Sequence, residues 1–207
     1  MSYHNIGSTR QKKDAKRTVM MKAAMRVFAE KGYYAATVRD IVRDADVAIG
    51  TFYFYFPDKE SLFVHLYEET ADFLLQAIDQ AVKTRVTLPH QLQKGIRAYV
   101  NIAMYEPAVV HLLLVGGVGA VPSLTTRRAE FRGRLVAVWQ RPLETALSQG
   151  TIPPQNCHRI AEAFAGAFDE VVLNLLTHPE PDVEANTAVQ ELTLFAIRAV
   201  AYTGSLD

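Results

Sequence analysis

The sequence predicts an all-α protein of about nine helices, a small N-terminal group of three followed by a larger C-terminal helical group. Three observations carry that reading. Apolar residues recur at i, i+3, i+4 and i+7 along most of the chain. No stretch alternates apolar and polar residues as a half-buried strand would. Helix breakers are sparse and well spaced, at Gly32, Asp46, Pro57, Glu106-Pro107, Pro122, Gly150–Pro154 and His178–Pro181.

The first helix is expected over Asp14–Lys31, with Met20, Ala23, Ala24, Val27 and Phe28 on one face and Gly32 as a left-handed C-cap. The second begins at Thr37, whose hydroxyl can cap it; Asp40, three residues on, completes a variant capping box. Its inner face is Val38, Ile41, Val42 and Ala45. After a tight connection at Asp46, a helix of two turns covers Ala48–Tyr55, and Pro57-Asp58 ends it and caps the next. A long helix over Lys59–Lys83 carries Leu62, Phe63, Leu66, Phe73, Leu74 and Ile78 along one side. Further helices fit Gln91–Tyr105, Pro107–Val118, Ser123–Gln149, Asn156–Thr177 and Asp182–Tyr202. The apolar run Ala108–Val121 is too short for a bilayer and reads as a buried core helix.

The 207 residues include 22 Lys and Arg and 22 Asp and Glu, a formal charge of zero. That balance is unevenly distributed. Residues 1–60 hold 11 basic against 7 acidic side chains, net +4, and residues 61–207 hold 11 against 15, net −4. Such asymmetry points to a basic contact module joined to a region with a different partner. The single cysteine, Cys157, excludes an internal disulfide framework and a multi-thiolate zinc site, and a reducing, cytoplasmic compartment is expected. The polar, basic N-terminus reads as neither a secretory signal nor a membrane anchor. The six histidines show no HExxH or Cys/His spacing, no G-x-S-x-G elbow is present, and Gly116-Gly117-Val118-Gly119 lacks the strand that precedes a nucleotide loop. No metal, cofactor or catalytic residue is expected, and the chain does not read as an enzyme.

The two short helices have the lengths of a helix-turn-helix, whose second helix lies in the major groove of DNA. In that helix Val47, Phe52 and Phe56 are spaced to pack inward, leaving Ala48, Ile49, Thr51, Tyr53 and Tyr55 outward. Ala48, Ile49 and the Thr51 methyl suit thymine methyl groups, hydroxyls of Thr and Tyr suit phosphate oxygens, and Gly50 allows close backbone approach. Two consecutive short helices also occur in many all-α folds, so the pattern alone does not separate DNA contact from core packing.

The stretch AAMRVFAEKGYYAATVRDIVRDADVAIGTFYFYFPDKESLF adds specific matches: Phe-Ala-Glu-Lys-Gly ending helix one, Thr-Val-Arg-Asp-Ile opening helix two, Gly-Thr-Phe-Tyr before Tyr-Phe, and Lys59-Glu60-Ser61-Leu62 opening helix four. In register over residues 14–68, they resemble the DNA-binding domain of the tetracycline-repressor (TetR/AcrR) family of transcriptional regulators. The run of cations at the N-terminus reads as a basic arm at 1–13, and the resemblance implies a helix-turn-helix domain at 14–60 and a ligand-binding and dimerisation domain at 61–207, linked by helix 59–83. It implies that Thr37 touches a backbone phosphate and Arg39 lies near the duplex. Ala48, Ile49 and Thr51 would face base edges, and Tyr53, Tyr55 and Lys59 would hold phosphates. Three positions depart from the family pattern. Asp46 stands where Gly is usual, Ala48 replaces a capping Ser, and Ile49 and Phe54 replace frequent cations. The recognition helix therefore lacks positive charge, which favours reading Arg10, Lys12, Lys13, Lys16 and Arg17 as a phosphate-tracking arm over the simpler reading of a solvated, disordered tail.

Toward the C-terminus the resemblance is loose. It implies that the last two helices pair with their copies in a homodimer, with Phe164, Phe168, Val171, Leu175, Leu192 and Phe195 at the interface and small residues such as Ala163 and Gly166 permitting close approach; the alternative is that these faces only complete a monomer core. It implies an effector cavity among helices four to eight, with Phe73, Tyr99, Tyr105, His111, Trp139, Phe168 and Asn174 as lining candidates. Core packing is the simpler role for each, with the Trp139 indole bonded to a carbonyl. The expected function is a ligand-responsive regulator, a dimeric repressor of a pseudo-palindromic double-stranded DNA operator that a small hydrophobic effector, such as a fatty acyl-coenzyme A, releases. The competing readings are an all-helical interaction module or a small-molecule binder without DNA, with an enzyme last.

Overall fold

The computed structural model describes residues 4–83, 87–119 and 121–204, with side chains described from Ala15 onward except at Asp182. Among the described residues there are nine α-helices and no strand. These are α1 (His4–Ala35), α2 (Val38–Asp44), α3 (Ile49–Tyr55), α4 (Lys59–Val82), α5 (Leu88–Tyr105), α6 (Pro107–Leu114), α7 (Leu124–Ser148), α8 (Cys157–Leu176) and α9 (Pro181–Ala199). They form two compact units. One takes residues up to Glu69 together with His111–Thr125; the other takes Thr70–Val110 and the chain from Thr126 onward. Helix α4 is thus divided at Glu69 rather than at residue 60, and a segment distant in sequence joins the first unit.

In the first unit the apolar face of α1 is buried at Met20, Ala23, Ala24, Val27 and Phe28. The helix itself begins at His4, ten residues before the expected Asp14. Apolar periodicity marks only the part of a helix that packs against a core, so a polar extension leaves no such mark. At Gly32 φ is positive, 72°, but ψ is 168°, so the chain bends in an extended conformation rather than closing a left-handed cap, and a last turn reaches Ala35. The expected box then opens α2: the Asp40 amide donates to Thr37 Oγ1 at 3.1 Å and the Thr37 amide to Asp40 Oδ2 at 3.1 Å. Ile41, Val42 and Ala45 are buried, while Val38 is half-buried.

Asp46 makes the turn with φ 51°, the left-handed backbone that glycine would adopt without strain. Helix α3 starts at Ile49, and its N-cap, Ala48, supplies no side-chain bond; a capping Ser there would contribute about 1 kcal/mol. Phe52 and Phe56 anchor it in the core. The Asp58 carboxylate accepts from the Ser61 amide at 2.6 Å and caps α4. That bond holds the carboxyl below its ordinary range.

The segment after α6 corrects a larger expectation. Ala108–Val121 is not one core helix: α6 stops at Leu114, His111 is exposed, and Val115 and Val118 lie on the surface. Gly117 turns the chain that follows. Its φ is 68°, and a Cβ there would lie 2.7 Å from Phe63 Cε1 and 2.9 Å from Leu124 Cδ1. Two polar contacts hold the segment to the rest of the unit, Tyr34 Oη donating to Gly119 O at 3.3 Å and Ser123 Oγ to Glu60 Oε1 at 2.5 Å.

In the second unit α5 packs on α8 and α9, and α8 on α9. Helix α5 begins at Leu88, earlier than Gln91, because Pro89 suits the first turn, where its missing N–H is no loss. Gly95 of α5 leaves room for Trp139, whose ring would sit 2.8 Å from a Cβ there. Pro142 lies inside α7 without ending it; it removes only the amide that would bond the Val138 carbonyl. Helix α8 is capped by Asn156, which accepts from the Arg159 amide at 3.0 Å, and α9 ends at Ala199 rather than Tyr202.

Candidate nucleic-acid interface and effector region

The surface of α3 is uncharged and open. Ile49 is 45% exposed and Tyr53 55%, Ala48 is exposed, and a Cβ built on Gly50 would meet nothing within 4 Å. Thr51 and Tyr55 are half-buried at the edge of this face. Phe54, 65% exposed, stands edge-on to Tyr55 with ring centroids 5.0 Å apart. Behind α3, Phe52 and Phe56 fix the orientation of the helix, so the outward set is held by packing rather than by a cap.

Among the described side chains, most cations of the first unit are engaged within it. Arg26 pairs with Asp44 through Nε at 3.1 Å and Nη2 at 2.5 Å, tying α1 to α2. Lys31 and Arg43 both reach Asp40, at 2.8 and 2.9 Å. The Lys31 ammonium, followed by the Thr37 hydroxyl, holds the Asp40 carboxyl well below the usual carboxylate range. Arg17 pairs with Glu69 at 2.6 Å and lies 5.9 Å over the Phe56 ring. Lys16, Lys22 and Arg39 are exposed and have no ion-pair partner among the described residues. Lys22 is a candidate contact that the sequence reading passed over, because it falls between apolar positions of α1 with no other charge beside it. The side chains of Arg10, Lys12 and Lys13 lie outside the described ones.

Two expected phosphate ligands are otherwise occupied. Thr37 donates its hydroxyl to Asp40 Oδ2 at 2.7 Å as part of the capping box. Lys59 donates to the carbonyls of Tyr33 at 2.7 Å and Ala36 at 2.8 Å, with its ammonium 4.3 Å over the Tyr33 ring. Burial lowers the Lys59 pKa and raises that of Tyr33. Lysine at the start of α4 therefore closes the end of α1, where four-residue patterns could not place it.

The effector candidates separate by burial. Tyr99, Trp139 and Phe168 are fully buried together in the second unit, with Trp139 edge-on to Phe168 at 5.0 Å. The Trp139 Nε1 hydrogen has no acceptor among the described residues, contrary to the carbonyl partner expected for a simple core filler. Tyr99 Oη donates to Asp169 Oδ1 at 2.7 Å, and Arg132 pairs with the other carboxylate oxygen. The partners of Asp169 lie on other helices, α5 and α7, so its neighbours in sequence give no sign of them. Phe73 and Tyr105, 52% and 84% exposed, together with His111 and Asn174, are surface residues.

The dimer candidates separate too. Phe164, Phe168, Leu175 and Leu192 are buried within one chain, which leaves little of each to face a partner. Phe195 is 46% exposed and Val171 half-buried; Leu194, Ala163 and Gly166 join them on the outer faces of α8 and α9. Among the described residues no group of His, Cys, Asp and Glu could hold a metal, and no helix is long and apolar enough to cross a membrane.

A capped helix, a tight turn and an open second helix within a small helical unit define the class of helix-turn-helix DNA-binding proteins. Residues 20–66 match the family model for bacterial regulatory proteins of the tetR family, and residues 89–197 that for the tetracyclin repressor-like C-terminal domain. The chain belongs to the TetR family of transcriptional regulators. It is 27% identical over 180 residues to the HTH-type transcriptional regulator BetI of Rhizobium meliloti, covering 85% of this chain and 86% of that protein. It is 32% identical over 80 residues to the fatty acid metabolism regulator protein of Bacillus subtilis, a match covering 39% of this chain and only 41% of that protein. Among solved structures, the transcriptional regulator FadR from Bacillus subtilis in complex with stearoyl-CoA is similar with TM-score 0.75 at 20% identity, covering 85% of this chain and 97% of that one. At that identity the likeness establishes the fold.

Proposed function

We propose that the protein is a dimeric, cytoplasmic repressor that reads a pseudo-palindromic operator with α3 and is released by a small hydrophobic effector. The open, uncharged face of α3 carries this reading. Ala48, Ile49, Gly50, Thr51 and Tyr53 offer methyl and hydroxyl contacts to a major groove, with Tyr55 at the edge. Phosphate attraction falls to Lys16, Arg39 and the N-terminal arm, since Arg17, Lys31, Arg43 and Lys59 are engaged within the protein. Self-association uses the outer faces of α8 and α9, with Val171, Leu194 and Phe195 as apolar contacts. A two-fold pair would present two copies of α3 to successive major grooves.

The likeness to relatives concerned with fatty acid metabolism supports a hydrophobic effector bound in the C-terminal unit, with the Tyr99, Trp139 and Phe168 region as its apolar wall. Effector binding acts on DNA affinity by linkage, so operator and effector must weaken each other by the same factor. Titration of effector with and without operator DNA tests this: unequal affinities support the reading, and equal ones reject it. Retention on duplex DNA that falls steeply with salt separates a DNA-binding regulator from a helical interaction module.

A further inference from the structure

The residues of α3, Ile-Gly-Thr-Phe-Tyr-Phe-Tyr, carry no side-chain amide, ammonium or guanidinium group. In the major groove guanine is recognised chiefly by two-pronged Arg or Lys contacts and adenine by Asn or Gln. Helix α3 can make neither kind. Apart from the hydroxyls of Thr51, Tyr53 and Tyr55, its side chains are hydrocarbon. Of the four bases, thymine alone presents a methyl group in that groove.

Packing decides which hydrocarbon stands furthest out. Residues two apart on a helix are turned about 200° from one another. Phe52 is fully buried and fixes the inner side of α3, so Phe54 and Gly50, two residues to either side of it, lie on the outer one. Phe54 is accordingly the most exposed large apolar side chain of the helix, and a Cβ at Gly50 would meet nothing within 4 Å. The apex of the face is thus an aromatic ring one turn beyond a bare stretch of backbone, with Ile49 and Tyr53 also exposed. Three large apolar side chains held in water by so short a helix mark a contact surface. No acidic side chain stands among them to repel a phosphate.

We propose that Phe54 sets operator specificity by packing its ring on the 5-methyl groups of thymines, with Ile49 and the Ala48 and Thr51 methyls contacting neighbouring ones. The proposal rests on the reading of α3 as the helix that enters the major groove. It gives that helix a target, half-sites whose T·A and A·T pairs are recognised by their methyl groups. Phosphate attraction lies elsewhere in the first unit, where Lys16, Lys22 and Arg39 are exposed. Changing Phe54 therefore alters which sequences are held and leaves the decline of binding with salt as it was.

The test enriches, on the full chain, a library of duplexes with about 20 random base pairs, enough for two successive major grooves. Affinity for the enriched duplex is then measured with its thymines and with deoxyuridine, which lacks only the methyl, in their place. Each uracil at a contacted position should weaken binding about fourfold, the effect of one buried methyl. The variant F54A should lose about tenfold on the thymine duplex, less than about twofold on the uracil duplex, and keep the natural salt slope. An enriched duplex bound equally well with uracil throughout, or an F54A loss of the same size on both duplexes, overturns the methyl reading while leaving α3 as the operator reader. If the library yields no enriched sequence, the reading of α3 as a DNA contact fails and the proposal fails with it.

Discussion

The Tyr99 hydroxyl donates a 2.7 Å hydrogen bond to the Asp169 carboxylate, joining α5 to α8 across 70 residues of sequence. Arg132 of α7 holds the second oxygen of that carboxylate. Three helices thus meet on one buried acid. Burial raises the pKa of Asp169 and pushes that of Tyr99 well above its ordinary value. Tyr99→Phe keeps the ring and removes the donor, leaving a buried carboxylate short of one partner. It should destabilise the protein by about 1–3 kcal/mol in urea denaturation. A loss below a few tenths would mean that water replaces the hydroxyl.

Lys59 closes the end of α1 through the Tyr33 and Ala36 carbonyls. Lys59→Met should therefore lower stability, by about 1–3 kcal/mol for two charge-assisted bonds, and leave the salt dependence of DNA binding unchanged. A slope of log K against log salt reduced by about 0.9 for each subunit would return Lys59 to the phosphate contacts.

The Asp40 carboxyl, held below its ordinary range first by Lys31, makes the first unit acid-sensitive. A depressed folded-state pKa stabilises the fold above the unfolded value, near about 4, and that contribution disappears as pH falls toward the folded one. The stability gap between the natural protein and Asp40→Asn should be constant at pH 5–7 and shrink below about 4. Denaturation series at these pH values measure it, and a gap as large at about pH 2 as at pH 5–7 would show that the bond to Lys31 is not what separates the two.

Phe195, 46% exposed on α9, and Phe164, 1% exposed on α8, sit 6.2 Å apart yet face different environments. Phe195→Glu should give a folded monomer in sedimentation, with native helicity and weakened operator binding. Phe164→Ala should instead cost about 3–5 kcal/mol of stability. A Phe195→Glu protein that remains dimeric would move the interface off this face.

The sequence by itself determined what depends on a few consecutive residues. The box between Thr37 and Asp40, the left-handed turn at Asp46, the uncapped start at Ala48 and the Asp58 cap are all hydrogen-bond arrangements within about four positions, and residue type decides them. Helical periodicity likewise placed the buried face of α1 and the inward Phe52 and Phe56. The basic excess before residue 60 was also legible, but how much of it stays available was not.

Tertiary structure decided which groups are occupied. Lys59 meets carbonyls 26 and 23 residues away, Tyr34 reaches Gly119 across 85, and Arg134 meets Asp72 on a different helix. Which aromatic faces inward on α8 and α9 depended equally on how neighbouring helices approach, so buried Phe164 and exposed Phe195 looked alike in sequence. A charge or a ring carries no mark of its partner when that partner lies many turns away. Periodicity gives a helix its faces, and only packing against other segments settles which face is covered and which cation remains free.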